Sequence, residues 1–174
     1  EVPSSGLNKG ERWHYTVRPS DGKDYGEIVE SNTITIGNNV PYVTEILLLP
    51  ALPLTGDDLT CSYSYKDADG DIESGTEIRW YRNGEHQGRY DNQKRVSRDV
   101  TRRGDRWYYT IRPGDGIDYG EQMVSPEVVI GNTLPLAGSL KILPEVPTSG
   151  DSLTCVYNYY DADGDLEEGT EIRW

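Results

Sequence analysis

The chain has 174 residues, of which 30 are acidic and 17 basic, so its formal net charge at pH 7 is −13. An acidic surface excludes nucleic-acid binding through phosphate contacts, which requires a basic face, and it offers no electrostatic attraction to anionic lipid. The longest apolar run, 46–49, is far shorter than the roughly 20 residues of a membrane span. We therefore expect no nucleic-acid partner and no membrane insertion of this segment.

An internal repeat of 94 residues organises the sequence. When residues 1–80 are laid on 95–174 without a gap, 41 of the 80 positions are identical. Two full repeats would need 188 residues, 14 more than the 174 of the chain. The stretch that occurs only once is 81–94. We therefore expect the chain to begin and end inside a repeat. The predicted domains are 1–40, the last strands of one domain; 41–134, a complete domain; and 135–174, the first strands of another.

The predicted elements are short strands. Leu59, Cys61, Tyr63 and Tyr65 alternate with small polar residues, which is the period of a half-buried strand. The same period continues over 76–81, where Asn83-Gly84 follows as a hairpin signal, and over 107–112. Residues 128–130 form the last apolar strand of the unit. No stretch shows the 3.6-residue period of a helix, so we predict an all-β fold with helix nearly absent.

About seven short strands in 94 residues are typical of a two-sheet immunoglobulin-type sandwich. Cys61 precedes Trp80 by 19 residues, close to the Cys-to-Trp spacing of such domains. The run Asp105-x-Trp107-x-Tyr109-x-Ile111 resembles their Asp-x-Ala-x-Tyr-x-Cys run, which carries the tyrosine corner. Because Ile111 replaces the second Cys, no intradomain disulfide forms, and we expect the cysteine of each copy to be a buried apolar side chain. The predicted core signature is Cys61, Trp80, Tyr109 and Ile111, with Cys155, Trp174, Tyr15 and Val17 at the equivalent positions.

Three motifs carry a resemblance to a known family: Asp-x-Asp-Gly-Asp, Thr-x-Ile-Arg-Trp-Tyr-Arg-Asn-Gly, and Gly-Asp-Arg-Trp-Tyr-Tyr-Thr-Ile-Arg-Pro-x-Asp-Gly. Together they resemble the tandem Ig-like, cadherin-like repeats of large bacterial and archaeal cell-surface and extracellular fibre proteins. The resemblance covers the whole chain in repeated form. It implies tandem immunoglobulin-like β-sandwiches in an exported stalk, adhesin or fibre, often with calcium at the joints, and an extracellular or cell-surface location.

Acidic residues crowd the loop 67–77 and recur at the equivalent positions of the second copy. Carboxylates one residue apart in a tight turn suit a hard cation such as Ca²⁺, which takes 6–8 oxygen ligands. In an immunoglobulin-type sandwich the B–C and F–G loops meet at one end, so the 115–118 loop adds ligands. The alternative is that these are Asx-turns with solvated carboxylates. The predicted calcium ligands are Asp67, Asp69, Asp71, Asp115, Asp118, Asp161, Asp163, Asp165, Asp21 and Asp24.

The sequence contains no Ser-His-Asp set, no phosphate-binding glycine loop and no zinc-ligand spacing, so we expect no enzyme. We predict a structural protein, the repeat unit of an extracellular filament, pilus-like fibre or surface stalk. Its partners would be copies of itself or neighbouring repeats, arranged head to tail. Either the chain is a window of a longer array, or the C-terminal part of one chain completes the N-terminal part of the next.

The alternative function is a carbohydrate- or protein-binding β-sandwich module, an adhesin, of a larger secreted protein. Outward-facing aromatic and basic side chains are the candidate contacts for such a ligand. Residues of this kind also form ordinary cross-strand pairs, and both interpretations stay open at this point. The candidates are Tyr81, Arg82, Tyr108 and Arg112.

Overall fold

The structure, a computed structural model, describes all 174 residues. It contains fourteen β-strands, no α-helix and three 3₁₀ turns of three residues each, which confirms the all-β prediction. No helix in it has the length and apolar character needed to cross a membrane. The 3₁₀ turns are Ser4–Gly6, Gly88–Tyr90 and Arg98–Val100. The strands are β1 (Arg12–Trp13), β2 (Thr16–Val17), β3 (Val29–Glu30), β4 (Ile34–Thr35), β5 (Tyr42–Leu49), β6 (Leu59–Lys66), β7 (Glu77–Arg82), β8 (Glu85–His86), β9 (Arg95–Val96), β10 (Arg106–Arg112), β11 (Met123–Val124), β12 (Val128–Val129), β13 (Leu136–Leu143) and β14 (Thr154–Tyr160).

The chain forms two compact units, each assembled from three separate segments. Each unit combines part of the predicted complete domain with one terminal segment, so the boundaries at residues 41 and 134 stay a prediction. The first unit consists of Glu1–Glu45, Tyr63–Glu77 and Ile111–Met123, and the second of Ile46–Ser62, Ile78–Thr110 and Val124–Trp174.

In the first unit, the N-terminal segment forms two short antiparallel ladders, β1 with β4 and β2 with β3. The loop around residues 113–120 packs closely against its surroundings. A Cβ at Gly120 would lie only 1.8 Å from the carbonyl oxygen of Pro41, so glycine is required at this close approach. The Ser74 N–H donates to the Gly114 carbonyl at 2.8 Å and ties this loop to the acidic loop 67–77.

The two largest sheets have three and five strands. The strand order is β5-β6-β9 in the first and β11-β10-β7-β8 in the second, where β12 also pairs with β10. The hairpin predicted from Asn83-Gly84 is confirmed: both residues have positive φ (51° and 83°), and Tyr81 pairs with His86 across the turn. A separate two-stranded sheet joins β13 to β14.

The core of the second unit is built around aromatic rings from β7 and β10. The centroid of the Trp80 ring lies 6.5 Å from that of Trp107, in an edge-to-face arrangement, and 5.4 Å from that of Tyr109. All three side chains are fully buried. The Tyr109 hydroxyl donates to the carbonyls of Leu47 (3.0 Å) and Ser62 (2.9 Å), which belong to the three-stranded sheet. In a tyrosine corner the hydroxyl donates a hydrogen bond to the backbone a few residues upstream in the sequence. Here it donates to the backbone of the other sheet.

Several apolar residues of the terminal segments are exposed although their equivalents in the middle of the chain, Trp80, Ile78, Tyr109 and Ile111, are buried. Every residue of β13 is exposed, and Trp174, Ile172, Tyr15 and Val17 are at least half exposed. Neither cysteine forms a disulfide, as expected. Cys61 is buried, whereas Cys155 is only partly buried, which differs from the expectation of burial in both copies. The difference arises because no second sheet covers β14.

Candidate functional site

The first candidate site is the acidic loop at residues 67–71. Asp67 Oδ1 accepts hydrogen bonds from the N–H groups of Asp69 (2.8 Å) and Asp71 (3.1 Å), so the loop is an Asx-turn. One carboxylate oxygen from each aspartate lies within 4.8 Å of the others, a grouping that could hold a metal ion. The second oxygen of Asp67, Oδ2, is buried without a hydrogen-bond partner.

The second candidate site repeats this turn 94 residues later. Asp161 Oδ1 accepts from the N–H groups of Asp163 (2.8 Å) and Asp165 (3.1 Å), the same distances as in the first loop. These three carboxylates also group within 4.8 Å. Because the bonds run only between neighbours in sequence, the local sequence is sufficient to form both turns.

Residues from the preceding segment hold the first acidic loop, and we call this set of contacts the first joint. The backbone N–H of Asn39 donates to Asp69 Oδ2 at 2.6 Å, and its side-chain amide donates to Asp69 Oδ1 at 2.8 Å. The Lys9 ammonium pairs with Asp71 and donates to Asn38 Oδ1 at 3.1 Å. The Asn39 bonds, with the backbone bond as the larger cause, lower the pKa of Asp69 below its usual value.

The second joint uses the equivalent residues 94 positions later. The Thr133 N–H donates to Asp163 Oδ2 at 2.6 Å, as Asn39 does to Asp69. Arg103 pairs with Asp165, its Nη2 lying 2.8 Å from Oδ1, and also donates to Asn132 Oδ1 at 2.6 Å. The Thr55 hydroxyl, followed by the Thr133 N–H, lowers the pKa of Asp163. Both joints therefore combine one backbone N–H with one cationic side chain.

The two joints differ in one respect: a third loop, residues 115–118, reaches the first joint. Asn38 Nδ2 donates to Asp115 Oδ2 (2.8 Å) and Asp118 Oδ2 (3.0 Å). Asp115 is buried, and the Asn38 amide, followed by the Asp118 N–H, lowers the pKa of Asp115 to about 2. In the second joint, Asn132 Nδ2 instead donates to the adjacent Thr133 carbonyl at 3.0 Å.

The predicted metal ligands thus fall into four groups. Two sets of three carboxylates, at 67–71 and 161–165, are each brought together. Asp115 and Asp118 reach the first joint through Asn38 and are not members of the carboxylate group. Asp21 and Asp24 lie exposed in a turn of their own, where the Asp21 carboxylate accepts the Asp24 N–H at 2.9 Å.

The sequence reasoning did not find the cationic residues of the joints. Lys9 and Arg103 occupy equivalent positions but are different residues, so a search for identity between the copies passes over them. They share a positive charge and an aspartate partner, Asp71 for Lys9 and Asp165 for Arg103. Comparing the copies by charge is the signal that would reveal them.

Each candidate binding-face residue contacts another side chain of the protein. The rings of Tyr81 and Tyr108 stack with their centroids 4.8 Å apart and their planes within 3° of parallel. Such contacts are the cross-strand pairs of a sheet surface. The other two candidates are also paired: Arg82 with Asp105 at 2.8 Å, and Arg112 with the Tyr119 ring at 4.7 Å.

Each terminal segment carries an apolar groove. The C-terminal groove has a volume of about 510 Å³ and is lined by residues that include Ile142, Cys155 and Trp174. The N-terminal groove, about 280 Å³, is lined by residues that include Trp13 and Tyr15. These grooves are the exposed faces of the incomplete sheets.

No protein-family model matches this chain, and no curated protein sequence matches it.

Proposed function

We propose that the chain is a structural protein, a series of tandem immunoglobulin-like β-sandwiches that forms the repeat unit of an extracellular filament, pilus-like fibre or prokaryotic cell-surface stalk. It is not an enzyme in this proposal, and its modules are 1–40, 41–134 and 135–174. The observation that carries the proposal is the recurrence of the joint contacts at positions 94 residues apart. A linear array needs joints of one kind, because each joint sets the direction of the next module.

The core composition supports the immunoglobulin-like assignment. The side chains that the repeat pattern selects, Cys61, Trp80 and Tyr109, are all buried in the second unit. The Tyr109 hydroxyl joins the five-stranded to the three-stranded sheet, as expected when two sheets share one core. The rings of Tyr81 and Tyr108 stack on each other, which favours a spacer over a ligand-binding module.

We include Ca²⁺ at the acidic loops in this proposal. Lys9 and Arg103 each pair with one carboxylate of their loop, leaving two further aspartates in each turn. The unpartnered, buried Oδ2 of Asp67 fits a cation in that position. Calcium would neutralise these carboxylates and stiffen the joint, with the weak affinity of extracellular modules, about 10⁻⁴–10⁻³ M.

Calcium binding is tested by titrating Ca²⁺ into the EDTA-treated chain while following its melting temperature. We expect the temperature to rise at about 1–10 mM Ca²⁺. The double variant Asp67→Asn with Asp161→Asn should lose this response, while Glu168→Gln, an exposed acidic residue outside the clusters, should keep it. An equal rise with KCl at matched ionic strength would reduce the effect to charge screening and contradict the calcium site.

The array itself is tested by measuring length against repeat number. Chains containing two, four and six copies of the 94-residue repeat should have maximum dimensions in small-angle X-ray scattering that increase by a constant step per repeat. A flexible string would lengthen only as about the square root of the repeat number. Square-root growth, or specific glycan binding that is lost in Tyr108→Ala, would contradict the spacer function and favour the binding module.

A further inference from the structure

We infer that Asn83 is a site of spontaneous deamidation and that the hairpin between β7 and β8 controls the rate of this modification. In the reaction, the backbone nitrogen of Gly84 bonds to Cγ of the Asn83 side chain, and the bond from Cγ to Nδ2 breaks. Nδ2 leaves as ammonia, taking the former Gly84 amide proton with it. Water then hydrolyses the resulting succinimide ring, which leaves aspartate or isoaspartate at position 83. Water is the only co-reactant.

Asn83 has the most reactive sequence context of the asparagines in this chain. It is the only one that is followed by glycine. Because glycine has no Cβ, its nitrogen approaches the preceding side chain with little steric hindrance. Asn83 and Gly84 are both exposed, so water reaches the bond between them. Among the asparagines of the unfolded chain, Asn83 should therefore react fastest.

The folded hairpin holds the reacting side chain in place. Asn83 and Gly84 are the two turn residues, with φ of 51° and 83°. Asn83 Oδ1 accepts the Arg106 N–H at 2.9 Å, and Asn83 Nδ2 donates to Asp105 Oδ1 at 3.1 Å. The Asn83 N–H also donates to the Arg106 carbonyl at 2.8 Å. Because both polar atoms of the carboxamide are bonded, turning it toward the Gly84 nitrogen breaks two hydrogen bonds. Ring closure therefore requires the hairpin to open from β10.

Deamidation replaces a hydrogen-bond donor with a negative charge beside a buried carboxylate. Asp105 is 6% exposed. Its Oδ2 accepts from Arg82 Nη2 at 2.8 Å and from the Arg102 N–H at 3.1 Å, whereas its Oδ1 accepts from the Asn83 amide. In the aspartate product, two carboxylates face each other at this contact and repel. Since the ammonia is lost, each hairpin opening that ends in reaction leaves a permanently weaker attachment of the hairpin to β10.

The first test compares the rate of modification in the folded chain with that in the chain unfolded by guanidinium chloride. Peptide mass spectrometry after digestion at acidic pH, where deamidation is slow, measures both rates. We expect Asn83 to react at least about tenfold more slowly in the folded chain, because only the small fraction of open hairpins reacts. Asn92, which is followed by Gln93, should react more slowly than Asn83 in the unfolded chain. Equal rates at Asn83 in the two states would overturn the inference.

The second test identifies hairpin opening as the controlling step. Hydrogen exchange of the Arg106 N–H reports the breaking of its bond to Asn83 Oδ1. Urea at concentrations below the unfolding transition should therefore raise the Arg106 exchange rate and the Asn83 deamidation rate by the same factor. If exchange at Arg106 accelerates while the deamidation rate stays constant, the hairpin does not control the reaction and the inference is wrong.

The third test measures what the modification does to the fold. Asn83→Asp reproduces the aspartate product, and its melting temperature at pH 7 should be at least about 4 °C below that of the parent chain. Salt should reduce this difference because it screens the repulsion from Asp105. A melting temperature equal to that of the parent chain would contradict the weakening of the hairpin.

Asn92→Asp is the matched control for the third test. Asn92 also has a positive φ (60°), and its Oδ1 accepts the Ile78 N–H at 3.0 Å, a bond that an aspartate oxygen preserves. Its amide nitrogen donates to no carboxylate, in contrast to that of Asn83. Asn92→Asp should therefore shift the melting temperature by less than half as much as Asn83→Asp. Equal shifts would assign the effect to the added charge alone and would contradict the role of Asp105.

Discussion

The middle of the chain and its terminal segments contain the same residues in opposite surroundings. Trp80 is enclosed by Trp107 and Tyr109, whereas Trp174, in an identical Thr-Glu-Ile-Arg-Trp sequence, is exposed. The comparison separates two properties that usually occur together. The local sequence determines which side chains face the core side of a strand, and the opposing sheet determines whether that side is buried.

The largest expected difference is between Trp80→Ala and Trp174→Ala. Trp80→Ala leaves a large cavity in the core and should lower the free energy of unfolding by about 3–5 kcal/mol. Trp174→Ala should change it by no more than about 0.5 kcal/mol, as for an exposed position, when measured by denaturant titration. Equal losses would mean that the Trp174 side chain is as buried as that of Trp80.

A smaller difference is expected for the tyrosine hydroxyls. Tyr109→Phe removes the donor that the buried Tyr109 side chain supplies to two carbonyls and should cost about 1–3 kcal/mol of unfolding free energy. Tyr15→Phe should be neutral because that side chain is exposed. Denaturant titration measures both, and a neutral Tyr109→Phe would show that water replaces the hydroxyl between the sheets.

The two joints should differ in their response to acid. The pKa of Asp115 is about 2, below its usual value of about 3.9, so its ionised form stabilises the fold above about pH 5 and this contribution is lost as pH falls from about 4 to 2. Asn38→Ala removes the largest cause of the lowered pKa of Asp115. The variant should therefore be less stable than the parent chain at pH 7 and should approach its stability near pH 2.

Asn132→Ala is the control for this pH effect. Both variants lose the side-chain oxygen that accepts from the cationic residue, but only Asn38→Ala loses an amide that donates to Asp115. Denaturant midpoints at pH 7, 4 and 2.5 should thus show a pH-dependent deficit for Asn38→Ala alone. The same pH dependence in both variants would assign the effect to the cationic residue.

The smallest effects are expected at Lys9 and Arg103. Their ion pairs are partly exposed, so Lys9→Ala and Arg103→Ala should each lower the melting temperature by only about 1–3 °C. Scanning calorimetry at low and high salt is the measurement, and salt should reduce both shifts. A shift in one variant only would show that the two joints are not equivalent.

Several elements followed from sequence pattern because their bonds are local. The alternation predicted over 59–65 corresponds to the strand Leu59–Lys66, and that over 107–112 to Arg106–Arg112. The Asn83-Gly84 hairpin and the Asp67 turn depend on residues within five positions of one another. The three carboxylates at 67–71 lie close together for the same reason.

Other features depend on residues far apart in the chain, and the sequence pattern did not reveal them. Lys9 and Asp71 are 62 positions apart, as are Tyr109 and Leu47. Cys61 is buried and Cys155 only partly buried because a second sheet covers Cys61 and none covers Cys155. None of these contacts has a local signal.

By itself, the sequence determined the strands, their apolar faces, the hairpin and the two acidic turns, since these arise from alternation and from hydrogen bonds between near neighbours. Only the tertiary structure decided that Lys9, Arg103 and Asn38 hold the acidic loops, and that Trp80 is enclosed while Trp174 is not. Those outcomes depend on which surface lies opposite, and a repeated sequence specifies the same face in each copy without specifying what covers it.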